Sequence, residues 1–374
     1  MVRGGDIKHG RINEDLPRIS ADKSVEYQRT VLQPGDVVIA LVGYPGEAAV
    51  VPSSLSGANI SRAVGLLRPR FINSRFLACY LNSPGGRVEF LRPGAGSAQL
   101  VVNLRDLNNL VVPVPPAAVQ EAIAGALSDA DAYIESLESQ FAKKRAVKLG
   151  AMQELLTGKR RLPGFEVKPG LKQSEVGRIP EDWAVTTIAA EFSVDLGKML
   201  DAEKNLGVPK PFIGNRAVQW GKVNLSEIGS IKLTSADVQR YRLVKGDLIV
   251  CEGGEVGRCA IWDDGQECYY QKALHRLRSK RGYSVLLMRY LLEHMASSGQ
   301  LTSFVTQTSI AHLPKDKMET IAVPMPHQLE QEAIASFLSD MESELDELEA
   351  KVRKARDIKQ GMLQELLTGR VRLV

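Results

Sequence analysis

The sequence predicts an α+β protein with an internal pseudo-two-fold repeat: two variable α/β domains joined by two long antiparallel coiled-coil helices. Three observations predict it. A 50-residue segment occurs twice, each copy carries an apolar seam at heptad spacing, and a Gly-rich stretch of short apolar runs precedes each copy.

The repeat comes first because a duplicated unit sets the architecture. Pro113–Leu162 aligns without gaps to Pro324–Leu373, at a constant offset of 211, with 24 identities in 50 positions. Pro113-x-Pro115 faces Pro324-x-Pro326, Gln120-Glu-Ala-Ile-Ala124 faces Gln331-Glu-Ala-Ile-Ala335, and Gln153-Glu-Leu-Leu-Thr-Gly158 faces Gln364-Glu-Leu-Leu-Thr-Gly369. The preceding stretches correspond more faintly: Gly10-Arg-Ile-Asn13 with Gly221-Lys-Val-Asn224, and Gly35-Asp36 with Gly246-Asp247. A period of 211 is a duplicated multi-element unit, since solenoid repeats are far shorter.

Each copy reads as one long helix. Pro-x-Pro imposes an extended entry, no proline follows, and Gly158 and Gly369 stand where helices terminate. Ile123, Leu127, Ala130, Ile134, Leu137 and Phe141 recur at 4-3 spacing in the first copy. Ile334, Leu338, Met341, Leu345, Leu348, Val352 and Ala355 do so in the second. A sustained 3.5-residue period marks a coiled coil. The two helices can pair within the chain, antiparallel, or form a homodimer seam; tethering in one molecule favours the internal pair. Roughly 35–40 helical residues span about 50–60 Å, or about 15–18 base-pair steps. On both helices acidic residues (Asp129, Asp131, Glu135, Glu138; Glu342, Glu344, Asp346) precede basic ones (Lys143, Lys144, Lys148; Arg353, Arg356, Lys359). Such blocks are either solvated faces or docking surfaces for partner helices.

In the variable stretches, Val37–Val42 and Leu248–Val250 follow Gly-Asp turns and read as strands. Phe76–Leu81 and Val285–Leu292 read as short helices, and Gly253-Gly-Glu-Val-Gly257 reads as a turn. Basic and polar residues cluster: Lys8, His9, Arg11, Arg62, Arg68, Arg70 and Arg75 in the first stretch; Gln219, Lys222, Lys272, His275, Arg276 and Arg278 in the second. Gln99 and Gln307 occupy corresponding polar loops. Arg and Lys neutralise phosphates, while Arg and Gln read base edges through paired hydrogen bonds, so these are the candidate DNA contacts.

Composition and missing motifs narrow the class. The net charge of +4 and 25% charged residues are ordinary, so charge alone does not indicate nucleic acid. Cys79, Cys251, Cys259 and Cys268 lack CxxC spacing and read as reduced core or free thiols. No apolar run is long enough to span a membrane, and the opening residues lack a secretory pattern, which predicts a cytoplasmic protein. GxxxxGK[ST], HExxH, GxSxG and an Asp/Asn-Pro-Pro-aromatic motif are all missing, as is metal-ligand spacing. The expectation is a binding protein without catalytic residues, cofactor or metal.

The two Pro-x-Pro entries, the Gln-Glu-Ala-Ile-Ala helix starts, the Gln-Glu-Leu-Leu-Thr-Gly endings and Gly177-Arg-Ile-Pro-Glu-Asp-Trp183 resemble the DNA-specificity subunits of type I restriction–modification systems. The resemblance covers almost the whole chain. It implies two target-recognition domains, each reading half of a split double-stranded DNA site, with two methyltransferase subunits docked on the helices and restriction/translocase subunits able to join. Methylation and cleavage would belong to those partners. On this reading residues 1–112 form the first target-recognition domain, 113–160 the first repeated helix, 161–180 a linker, 181–323 the second domain and 324–374 the second helix. About 30 residues, Glu181–Pro211, precede the point matching Met1–Val2, so the first domain is expected to lack its opening segment. The competing expectations are a coiled-coil scaffold that does not bind DNA and a stand-alone DNA enzyme.

Overall fold

The computed structural model describes residues 1–42, 45–92, 102–165, 170–201, 203, 205–307 and 311–373. They fall into two compact units: Met1–Phe141 with Glu347–Val374, and Ala142–Asp346. Four helices organise them: α1 (Ser74–Asn82), α2 (Ala117–Leu156), α3 (Val285–Ser297) and α4 (Gln328–Leu367). The repeated segments are α2 and α4, each 40 residues long. No helix among the described residues is long and apolar enough to cross a membrane.

The long helices start the same way in both copies. Gln120 accepts a hydrogen bond from the Asn73 backbone at 2.7 Å and donates to the Pro115 carbonyl at 2.7 Å. Gln331 repeats this with Ser284 at 2.9 Å and Pro326 at 3.0 Å. Asn73 and Ser284 are the N-caps of α1 and α3, so each glutamine ties a short helix to the start of a long one. Both glutamines are 3% exposed. Truncation strands buried backbone groups, so Gln331→Ala is expected to cost about 1–3 kcal/mol, read as a lower urea midpoint with an unchanged slope. The helices end at Gly158 and Gly369, whose positive φ values of 69° and 73° suit glycine.

In the first unit, β1 (Val37–Ala40) is the central strand, antiparallel to β2 (Ala48–Val50) and β3 (Val64–Leu67). All four β1 residues are buried, which explains its unbroken apolar run. Phe76 of α1 packs on Ile123, Ala124 and Leu127 of α2 and on Leu366 and Leu367 of α4. Ile134, Leu137 and half-buried Phe141 meet Leu348, Val352 and Ala355. As α2 advances from Asp131 to Glu138, its ion partner on α4 retreats from Lys359 to Arg356, so the helices run antiparallel.

The second unit repeats this frame with additions. Its four-stranded antiparallel sheet has the order β8-β7-β10-β4: Cys259–Ile261, Leu248–Cys251, Leu274–Ser279 and Phe192–Leu196. β7, β8 and β10 correspond to β1, β2 and β3, whereas β4 belongs to the Glu181–Pro211 stretch, which precedes the point aligned with Met1. A second sheet orders β6 (Gly229–Leu233), β5 (Val208–Ile213) and β9 (Tyr269–Tyr270). Met152, Leu155 and Leu156 of α2 share the core with Ile334, Ala335 and Leu338 of α4, Met341 packing at its edge. Lys144 pairs with Glu344, and Lys148 lies 3.3 Å from Glu342, again antiparallel. In each unit, acidic and basic blocks of the two helices thus neutralise each other, a use the separate sequences did not reveal. An acid-then-base order on both helices is complementary only when they run in opposite senses.

Candidate nucleic-acid interface

In the second unit, the loops after β4, β5, β7 and β9 converge with the antiparallel strand pair Thr306–Gln307 and Ala311–His312. Backbone bonds lock them together: Lys198 to Tyr270 at 2.9 Å, Lys272 to Lys198 at 2.8 Å, and Glu252 to Ala273 at 3.0 Å. Gly253 bridges to His312. Asn215 donates to the Gly253 carbonyl at 3.0 Å, while its Oδ1 has no hydrogen-bond partner among the described residues. Glycines allow this close approach. A Cβ at Gly197 would lie 2.3 Å from the Gln271 carbonyl oxygen, and one at Gly253 would lie 3.0 Å from His312 Nδ1.

The result is a polar surface. Arg216 and Lys272 are exposed, and Asn215, Gln271 and His312 are half-buried beside them. Lys198 is held by Asp237 at 2.9 Å, and burial pushes the Glu252 carboxyl up. Met199 and Leu200 follow Lys198 with 60% and 49% exposure. Arg, Asn, Gln and His supply donors and acceptors for base edges, Lys neutralises phosphate, and exposed apolar side chains suit thymine methyls or base steps.

Of the residues picked from sequence, Lys272 lies in this cluster, and the backbone of Gln307 belongs to its strand pair. The side chain of Gln307, and all of Gln99, lie outside the described residues. His275 and Arg276, expected at a DNA-facing surface, are interior instead. His275 is fully buried with Nε2 2.8 Å from the Leu313 carbonyl, and burial lowers its pKa, favouring the neutral ring. Arg276, 7% exposed, donates to Asp195 at 2.8 Å and to the carbonyls of Arg240 and Arg242. Both sit on β10, whose first four residues are buried, so sequence clustering there reflected a core strand.

Other candidates are surface struts. Arg278 grips Asp247 at 2.7 and 2.8 Å, and Arg68 grips Asp36 at 2.8 and 2.8 Å. Each aspartate also caps its turn, accepting from Val244 and Gln33 respectively. Arg11 binds Glu135 at 3.1 and 2.6 Å, and Lys222 binds Asp346 at 2.6 Å, a repeated pair fastening a hairpin to a long helix. Gln219 is exposed and donates to the Arg216 carbonyl. Lys8, His9, Arg62 and Arg70 are exposed on the first unit. Sequence reading missed Lys198, Asn215, Arg216, Gln271 and His312. The usable signal was Gly214-Asn-Arg216 directly after an apolar strand, a glycine turn presenting two base-reading side chains.

Residues 3–144 and 180–355 match the family described as type I restriction modification DNA specificity domain. The type I restriction enzyme MjaVIII specificity subunit of Methanocaldococcus jannaschii is 24% identical over 281 residues, 73% of this chain and 64% of that protein, so the match spans less than two thirds of its length. The type I restriction enzyme EcoKI specificity subunit of Escherichia coli is 24% identical over 392 residues, 98% of this chain and 80% of its own. A solved type I restriction–modification S subunit from M. genitalium aligns with a TM-score of 0.53 at 18% identity, covering 89% of this chain and 82% of that one. At that identity the likeness is one of fold.

Proposed function

We propose a DNA-reading role from one premise: this chain belongs to the type I restriction–modification DNA-specificity family. It acts as the non-catalytic subunit that selects the DNA sequence. Each unit reads one half of a bipartite double-stranded site, with the second unit's loop cluster around Arg216, Gln271 and Lys272 as its reading surface. That cluster is the observation carrying the proposal, because it gathers base-reading and phosphate-binding groups on a frame without catalytic spacing. Lys8, Arg62 and Arg70 are the proposed contacts of the first unit. Helices of 40 residues, about 60 Å at full length, act as the spacer. Two methyltransferase subunits dock on them, and restriction/translocase subunits join that assembly. Residues 1–112 and 181–323 remain the proposed recognition domains, with the long helices and the 161–180 linker between and after them.

Methylome sequencing of the host with and without the gene tests this directly. Loss of one split adenine-methylated motif is expected, and an unchanged methylome would overturn the role. A finer test uses the chain assembled with its methyltransferase subunits. Lys272→Ala is expected to weaken binding to all sequences alike and to reduce the salt slope by about one. A scaffold that does not touch DNA would show no salt-dependent binding to lose.

A further inference from the structure

The joint between the short and long helices is repeated in both units, with four side chains changed. In the second unit Arg289 of α3 is 4% exposed and sets its guanidinium on Glu342 at 2.5 and 2.7 Å and on Glu293 at 2.9 Å. The guanidinium lies 4.3 Å from the Tyr290 ring centre, and the Tyr290 hydroxyl donates to Glu342 at 2.9 Å. Lys148 approaches the same carboxylate at 3.3 Å. Gly221 leaves the room required, since a Cβ there would lie 3.0 Å from the guanidinium carbon.

At the positions 211 residues earlier, the first unit keeps Gly10 and has Asp131 for Glu342, and Lys359 replaces Lys148 in the ion pair. It has Ala78, Cys79 and Asn82 where the second unit has Arg289, Tyr290 and Glu293. The space a guanidinium and a phenol occupy in one copy is a cleft of about 580 Å³ in the other, lined by these residues. Lys359 takes Asp131 Oδ1, and Oδ2 accepts no hydrogen bond among the described residues. The other carboxylates of the cleft are already gripped, Glu135 by Arg11 and Glu47 by Arg87. A carboxylate offers about four acceptor sites, and Glu342 serves a guanidinium, an ammonium and a hydroxyl together in this same frame.

We propose that this cleft receives an arginine side chain of a partner protein, its guanidinium on Asp131 Oδ2, with a neighbouring aromatic ring in the space left by Cys79. The chain itself supplies the template, an arginine followed by a tyrosine. Exposed Arg75 at the rim makes an anion the competing occupant, and the test separates the two.

The experiment uses the full chain with labelled alanine methyls, titrated with the capped dipeptide acetyl-Arg-Tyr-amide, its Lys-Tyr analogue and inorganic phosphate. Ala78, Ala124 and Ala132 line the cleft, and their resonances are expected to shift saturably with the arginine peptide. Binding should weaken at least about tenfold with the lysine analogue or in Asp131→Asn, in keeping with loss of a charge-assisted guanidinium–carboxylate hydrogen bond. Ala78→Arg, which restores the residue of the other copy, should abolish peptide binding while the buried Ala40 and Ala49 methyls of the same unit stay in place as a folding control. Saturation by phosphate but not by peptide, no shift at all, or undiminished affinity in Asp131→Asn would each overturn the proposal.

Discussion

Glu342→Ala is expected to destabilise the second unit by about 3–5 kcal/mol, because it leaves a buried guanidinium without its main counter-ion. Arg289 is 4% exposed and rests on both Glu342 oxygens, and Lys148, 8% exposed, leans on the same group. The measurement is the urea midpoint of the purified chain. The matching change in the other copy, Asp131→Ala, should cost less than about 1 kcal/mol, since a half-exposed pair is screened by water; the Asp131 side chain is 48% exposed. Equal losses at the two sites would mean that burial does not set the energetics.

The same carboxylate predicts a pH dependence. Burial by itself raises the Glu342 carboxyl, but the Arg289 guanidinium and Lys148 outweigh it and hold Glu342 down to about 2, against an ordinary 4.5. A depressed carboxylate contributes its full stabilisation above the unfolded pKa and loses it as pH falls through the folded one. The contribution should therefore be intact above about pH 4.5 and fade toward about pH 2. Glu342→Gln, lower in stability at neutral pH, should lose less than the parent over that acid window.

Arg216→Ala and Gln271→Ala should each weaken specific DNA binding by about 1–3 kcal/mol, roughly 5–150-fold, and relax discrimination at individual base pairs. The relaxation should be confined to one half-site. Competition binding by the chain with its methyltransferase subunits, against sites substituted singly in either half, reads this out. Relaxation spread over both halves, or a uniform loss without relaxed specificity, would remove these residues from the reading surface. Arg216 has no side-chain partner among the described residues, which distinguishes it from Arg68, Arg276 and Arg278.

That distinction marks how far the sequence carries. The helical repeats were legible because identity at a fixed offset and a 3.5-residue period are written locally, and Pro and Gly mark each end. The strands at Val37 and Leu248 were legible as apolar runs after Gly-Asp turns. Which basic residue faces solvent was not legible, because the answer sits elsewhere in the chain. Arg11 meets its carboxylate 124 residues away and Arg278 meets its own 31 residues away. His275 and Arg276 resembled a basic surface patch until the sheet covered them.

By itself, then, the sequence determined the duplicated α+β architecture, the two long helices and membership of a DNA-specificity family. Backbone propensity, periodicity and self-similarity are properties of neighbouring residues or of aligned copies. Only the tertiary structure decided which cations are struts and which are free, how the charged blocks of the helices cancel, and where one copy holds an arginine while the other holds a cleft. Those outcomes depend on groups distant in sequence meeting out of water, where an unpaired charge is costly and a missing side chain leaves space.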